Sequence, residues 1–512
     1  MVFNLIITII WAISNIRRQL LYSYWFETKE YRLDRLFSFA KTSEGFQKLE
    51  LPALLIKLAT SFTFPTIYLL ILLYETLLLV CEITTKQIKR QNFSIRGKNF
   101  LLTSLTFIAL GLTSQLVSFS ADRIILFDLI SYSIPLIALS WTQILFNRSL
   151  NKELVKAKKK LSIHKPIIIS ITGSQGKSST KHILHHILKS HFKTEKTPLS
   201  HNTPFGIIRA VNSQVNKKTK IFISEMGAYK KGEIKFLTTI TKPNIAVITG
   251  ISPQHIDLFG SMQNLLEAKY EIVQNECPLF INTTTSSTLP ILKRAKRDNI
   301  HTFTYALNKK ADFWSKTVKR SSSFTKLMFH TQQTHYFVNT NLTFEPLLQN
   351  LTAALAISTY LKVPKNKIVN TARNIPEIER SLVEVKISKN ITILNDSYNS
   401  TVPGFETATK LLSQKKGKKI IITTGILELG KISDKIHKEL ASKIKDVDTV
   451  MVTNKSLINP FQSSVKNTNI LYINNFNSNK ILINAIPTKQ KVYILVEGRI
   501  PSKIMNNIYS LK

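Results

Sequence analysis

The chain has 512 residues, 44% of them apolar, and a formal charge of +39 from 70 Lys and Arg against 31 Asp and Glu. That length accommodates three or four domains. The only two cysteines, Cys81 and Cys277, have no CxxC or metal-ligand spacing, which excludes a disulfide scaffold or zinc module and leaves both as inert thiols of a reducing compartment.

The first 150 residues hold the long apolar runs. Stretches 51–83, 99–118 and 124–147 are long enough to read as membrane spans, and 2–14 as a further one. Residues 1–14 lack a small-residue cleavage site, so they are not read as a removed signal peptide. Basic residues in 84–98 (Lys86, Lys89, Arg90, Arg96, Lys98) and in 152–160 place both segments on the cytoplasmic side, with 118–123 outside. The mixed-charge segment 15–50 then falls on the wrong side unless 51–83 breaks into a hairpin near Pro65 or 1–24 only lies in the interface. Lys57 and Glu75 are ionisable residues within these runs, with stems long enough to snorkel. The expectation is a multi-pass protein of the inner (cytoplasmic) membrane with membrane lipid as a partner and everything from 150 onward in the cytoplasm. The excess of positive charge is scattered rather than striped and carries no zinc-finger, RRM or KH signature, so nucleic acid is not an expected partner.

After a basic linker, 151–165, strand and helix patterns alternate: strands at 166–172, 219–224, 244–249, 278–281, 391–395, 418–424, 447–452 and 491–496, with helices between them. The fold class is therefore α/β, with mainly parallel, doubly wound sheets behind an all-α transmembrane segment. Residues 283–345 read as a strand-rich excursion. The expected domains are 166–376 and a Rossmann-like 377–512.

The first strand runs into Gly173-Ser174-Gln175-Gly176-Lys177-Ser178-Ser179, and a helix follows. Glycine admits close backbone approach to an anion, and the helix N-terminus supplies positive potential. Lys177 suits the β- and γ-phosphates of ATP and Ser178 suits Mg²⁺. The longer Walker pattern needs a glycine where Ile171 stands, so this is the short GxxGKS form.

Three further stretches carry chemistry. In 223–237 (ISEMGAYKKGEIKFL) a strand ends at Glu225, at the sheet edge where open α/β sheets bind ligands, well placed to share the Mg²⁺ of Ser178. In 247–273 (VITGISPQHIDLFGSMQNLLEAKYEIV) His255 follows a strand end and Lys269 lies on the next helix; a histidine with carboxylates suits a second divalent ion. In 393–412 (ILNDSYNSTVPGFETATKLL) Asp396 ends a strand, and Tyr398 and Asn399 lie in the turn before a helix.

Together ITGSQGKS, EMGAYKKGEI, ITGISPQHIDLFGS…EAKYEI, NDSYNSTVP and TGILELGKISDKIH resemble, in order and spacing, the motifs of the Mur ligase family, closest to its MurF branch, over about 166–505. The resemblance implies an ATP-dependent amide ligase acting through an acyl phosphate on a peptidoglycan precursor, with an amino acid or dipeptide as the amine. It implies two Mg²⁺ sites, one on Ser178 and Glu225 and one on Glu225, His255 and a carbamylated Lys269, with Lys177, Lys269 and His255 in catalytic roles. It further implies Asn350 at adenine, Arg380 and Asp396 at the nucleotide, and Asn202, Thr203, Tyr398 and Asn399 on the substrate side. The chain departs from the family pattern at Pro346, at Val402 and at Glu497-Gly498-Arg499, where an acid replaces a cation. The apolar segment also stands where the family carries a UDP-binding domain, which suggests a lipid-linked acceptor. Two other readings remain: a poly-γ-glutamate-type ligase, and a P-loop ATPase coupled to a membrane transporter.

Overall fold

The computed structural model describes residues 2–29, 31–41, 43–61, 65–84, 95–199, 201–274, 277–321, 323–378, 382–398, 400–465, 467–486 and 490–511. The chain divides into two compact units, Met1–Lys152 and Glu153–Lys512.

The first unit is helical. Its helices include Val2–Thr28, Leu51–Thr60, Pro65–Thr84, Ile95–Val117 and Ala121–Ser131, followed by the start of Ile134–His164. Two described helices are long and apolar enough to cross a membrane, Thr66–Thr84 and Gly97–Val117. A third span arises only if Ala121–Ser131 and Ile134–His164, bent by 47°, are counted as one. The stretch 51–83 is not one continuous helix: Leu51–Thr60 ends before a new helix begins at Pro65, whose ring is tolerated in a first turn but not mid-helix. The basic stretch read as a linker is helical to His164.

Lys57 and Glu75 do not snorkel. Both are buried in a four-charge cluster, where Lys57 Nζ donates to Glu75 (2.9 Å) and Asp128 (2.8 Å) and Arg18 donates to Glu75 (2.7 Å) and Asp128 (3.0 Å). Removing such charges from water is tolerable only with this mutual pairing. Tyr68 adds a hydroxyl donor to Asp128 at 2.8 Å.

The second unit holds two sheets. The nine-stranded sheet comprises β1 (Ile167–Thr172), β2 (Thr194–Lys196), β3 (Ile221–Glu225), β4 (Ile245–Ile248), β5 (Leu279–Asn282), β6 (Thr302–Leu307), β7 (Phe313–Arg320), β8 (Thr325–His330) and β9 (His335–Thr340), in the order β2-β3-β1-β4-β5-β6-β7-β8-β9. Strands pair parallel from β2 to β7 and antiparallel from β7 to β9. The strand-rich stretch 283–345 therefore extends the same sheet. Strands β1, β3, β4 and β5 are near-continuous runs of buried apolar residues, as expected for parallel strands covered on both faces. β8 and β9 alternate in burial, as a sheet with one wetter face does.

The six-stranded sheet comprises β10 (Val383–Lys386), β11 (Ile391–Asp396), β12 (Lys418–Thr423), β13 (Thr449–Val452), β14 (Asn469–Tyr472) and β15 (Val492–Glu497), ordered β10-β11-β15-β12-β13-β14. Only β10 is antiparallel to its neighbour. Outside 283–345, the short strands β2, β10 and β14 are the ones periodicity did not reveal, because runs of three or four residues carry almost no pattern.

Candidate active site

β1 and β3 are neighbours, so the loop after β1 and the carboxylate ending β3 emerge side by side. The helix Lys177–Leu188 starts directly from the loop. Its first-turn N–H groups have no intrahelical acceptor and form an anion-binding end. Two glycines are required here. Gly173 has φ +149° and a Cβ there would lie 2.3 Å from Thr249 Oγ1; Gly176 has φ +78° and a Cβ there would lie 2.6 Å from Asn350 Oδ1. The loop is tied down by Ser174, whose N–H donates to Gly250 O at 2.7 Å and whose hydroxyl donates to Ser252 O at 2.9 Å. The Thr249 hydroxyl donates to Gln175 O. Lys177 Nζ curls over the loop, donating to Gly173 O (2.7 Å) and Ser174 O (3.2 Å). Burial lowers the Lys177 pKa, and Glu225 partly offsets this. Ser179 is half-buried in the first helical turn.

Glu225 is the electrostatic centre of the site. Its Oε2 accepts from Ser178 Oγ at 2.9 Å and from Lys181 Nζ at 2.8 Å, while Oε1 accepts from Asn202 Nδ2 at 3.1 Å. Burial alone would raise its pKa, but Lys181, Lys177 and the Ser178 hydrogen bond outweigh burial and hold it below the usual carboxylate range. Ser178 and Glu225 are hard oxygen donors beside an anion-binding turn, and they fit a divalent cation. Lys181 was not singled out in the sequence; it sits one helical turn beyond Lys177, and that spacing was the available signal.

Lys269, on the helix Met262–Tyr270, is buried, with its Nζ 5.7 Å from the centre of the Phe259 ring. Burial, then the charge of Lys177, lower its pKa to about 7, against partial compensation from Glu233 and Glu271. His255 pairs through Nδ1 with Glu428 and lies edge-on to Tyr229 at 4.8 Å. Among the described residues no cluster of three His, Cys, Asp or Glu side chains is poised to hold a metal.

The remaining expected residues fall as follows. Asn350 is buried on the helix Glu345–Tyr360 and packs against Gly176. Asn202 reaches Glu225, whereas Thr203 caps the helix Pro204–Gln214 by accepting from Gly206 N–H at 3.3 Å. Asp396 ends β11 beside Glu497, its register partner on β15. Glu497 is fully buried and its Oε1 accepts from Ser400 Oγ at 2.7 Å. Burial raises the Asp396 pKa to about 6, and burial with the neighbouring Asp396 charge holds that of Glu497 well above the usual carboxylate range. The Tyr398 carbonyl accepts from Arg499 Nε at 3.0 Å. Arg380 and Asn399 lie outside the described residues. The motif histidine His437 is structural: its Nε2 accepts from Ile426 N–H at 3.0 Å and its Nδ1 bonds Ser433 O at 2.8 Å. Thr401 Oγ1 donates to Gln175 Oε1 at 3.2 Å, joining the turn after β11 to the phosphate loop.

The sequence profile of the Mur ligase middle domain matches residues 171–358. A UDP-N-acetylmuramoyl-tripeptide–D-alanyl-D-alanine ligase of Buchnera aphidicola subsp. Acyrthosiphon pisum is 28% identical over 343 residues, 66% of this chain and 74% of that one. The enzyme of the same name from Bacillus subtilis is 27% identical over 288 residues, 54% of this chain and 60% of its own length. The crystal structure of MurF ligase from Thermotoga maritima in complex with ADP superposes with a TM-score of 0.61 at 22% identity, covering 70% of this chain and 83% of that one. The chain carries a Mur ligase middle domain within a MurF-like α/β fold, preceded by a helical unit.

Proposed function

We propose that this protein is an ATP-dependent ligase that joins an amine to a carboxylic acid of a peptidoglycan precursor, releasing ADP and phosphate. The observation that carries this reading is the Ser178 hydroxyl on the Glu225 carboxylate at 2.9 Å, at the mouth of the loop that bears Lys177. Phosphoryl transfer requires positioning and charge neutralisation more than covalent help from the protein. A divalent cation held by Ser178 and Glu225 would supply part of that neutralisation. The first-turn N–H groups orient the phosphates, and Lys177, released from its loop carbonyls, offsets charge on the transferred group. Asn350, against Gly176, borders the same loop. The acid is activated by phosphorylation of its carboxylate. The amine then attacks the acyl carbon, the C–N bond forms, the C–O bond to phosphate breaks, and the ammonium proton leaves to solvent.

The names of the sequence relatives support a muramoyl-tripeptide acid and a D-alanyl-D-alanine amine. The two apolar helices support a membrane-anchored enzyme with its ligase domains in the cytoplasm and an acceptor close to the lipid surface. Domain limits of 166–376 and 377–512 suit the two sheets. The test is ADP release by the purified full chain, offered UDP-muramoyl-tripeptide, its lipid-linked form or glutamate, each with and without D-alanyl-D-alanine. ADP release that requires a muropeptide acid and the dipeptide supports the reading. Release with glutamate alone replaces it with a poly-γ-glutamate-type ligase, and release with no acid replaces it with an ATPase.

A further inference from the structure

The nine-stranded and six-stranded lobes meet beside the phosphate loop through an unusual contact. His255 follows β4 in the first lobe and Glu428 follows β12 in the second. Both are non-glycine residues in the left-handed region, at φ 54° and φ 59°. Such backbone is unfavourable for a residue with a Cβ and persists where the surroundings over-determine it. Here part of the surroundings comes from the opposite lobe. His255 Nδ1 pairs with Glu428 Oε2, Asp257 N–H donates to Glu428 O at 3.1 Å, and a Cβ on Gly430 would come within 2.9 Å of Asp257 Oδ1. The Glu428 side chain and its own carbonyl thus grip two residues of one turn. A second cross-lobe bond, Thr401 to Gln175, lies on the phosphate loop itself.

We propose that Glu428 is a positioning residue for the ligase reaction: it clasps His255 across the two lobes and holds them in the closed arrangement that the transfer step needs. This rests on the ligase reading. Two residues in the left-handed region meeting side chain to side chain, reinforced by a main-chain bond, tie the two lobes at one point. A lobe-to-lobe contact of this kind sets the distance between an acid activated at the phosphate loop and an amine presented from the second lobe, and rate is steeply sensitive to that distance. Glu428 acts through His255 and not on substrate.

The experiment is a double electron–electron resonance distance measurement on the full chain. Spin labels are placed on cysteines introduced at the exposed Lys235 and Lys438, with Cys81 and Cys277 replaced by alanine. Spectra are taken with and without ADP and Mg²⁺, alongside steady-state ADP release. The expected result is one narrow distance for the parent and a broad, longer distribution for Glu428→Ala. The same variant should lose about tenfold in kcat, with KM for ATP within about twofold. Glu428→Gln, which keeps an acceptor oxygen, should recover most of the narrow distance. His255→Ala should open the lobes as Glu428→Ala does, and the double variant no further. If Glu428→Ala fails to fold, the Gln and His255 variants decide. Additive opening in the double variant, or a parent-like distance and kcat in Glu428→Ala, overturns the clasp. The distance readout needs no acceptor, so it stands if the ligase assay fails. A fully active Glu428→Ala beside an inactive Lys177→Ala would sink the clasp and leave the ligase reading intact.

Discussion

At the scale of single residues, the site is an arrangement of buried charges that compensate one another. Glu225 is ionised because Lys181 and Lys177 outweigh its burial. Removing one partner of such a pair strands the other, at about 3–5 kcal/mol. Lys181→Met should therefore destabilise the protein by about 3 kcal/mol in urea unfolding, and added Mg²⁺ should recover part of that loss by binding the freed carboxylate. A parent-like urea midpoint would show that the pair contributes nothing. Lys177→Ala should abolish ADP release while leaving the melting temperature within a few degrees. Lys269 differs, because burial and then the charge of Lys177 lower its amine pKa to about 7, which favours the neutral form. A neutral amine can attack CO₂ to give a carbamate, with loss of a proton. Lys269→Ala should accordingly be nearly inactive and partly rescued by short carboxylates, as judged by ADP release; activity near that of the parent without rescue would remove Lys269 from the reaction.

At the scale of elements, the sheets place these residues, and the edges of the sheets are where sequence and structure part. The glycine loop, Glu225 at the end of β3 and Asp396 at the end of β11 were legible, because each follows a short apolar, β-branched run that reads as a strand. The stretch holding β6 to β9 was legible as strand-rich but not as a continuation of the first sheet, since β7 to β9 pair antiparallel and the outer strands, with one wetter face, look polar and short. Arg380 and Asn399 were expected at the site on resemblance alone. Lys57 and Glu75 illustrate a third limit: helical periodicity shows that an ionisable residue lies in an apolar run but not that Arg18 and Asp128 come from other helices to pair with it. The acid in place of a cation at 497 was visible in the sequence, but its consequence needed the register that sets it beside Asp396. A carboxyl whose folded pKa is raised binds protons more tightly in the folded state, so its contribution is largest at low pH and is lost as pH rises through the folded value. With Asp396 at about 6, the lobe should be more stable at pH 5 than at pH 7.5 from this source. Glu497→Gln supplies a permanent donor to Asp396 and should raise stability at pH 7.5 by roughly 1 kcal/mol. Thermal unfolding of both proteins at the two pH values checks this: the variant should lose the acid-favoured difference, and an unchanged difference would place its origin elsewhere.

At the scale of the whole molecule, a helical unit and a ligase unit share one chain, and each has its own internal logic. The helical unit has apolar outer faces, with Leu70, Leu77 and Val80 exposed on one helix, and a buried charge cluster that ties four helices together. If those faces meet lipid, the protein should sediment with membranes and resist release by carbonate at high pH, whereas residues 153–512 expressed alone should remain in the soluble fraction. Release of the full chain by carbonate would assign the apolar helices to a protein interface instead. The second unit brings a phosphate loop, a carboxylate–hydroxyl pair and two lobes to one place, the arrangement on which the proposed activation of an acid and its capture by an amine rests. Oxygen tracing tests that most directly. With the acid substrate labelled by ¹⁸O in its carboxylate, the account predicts that each inorganic phosphate released carries one labelled oxygen taken from the acid. ADP formation with phosphate free of the label would contradict it.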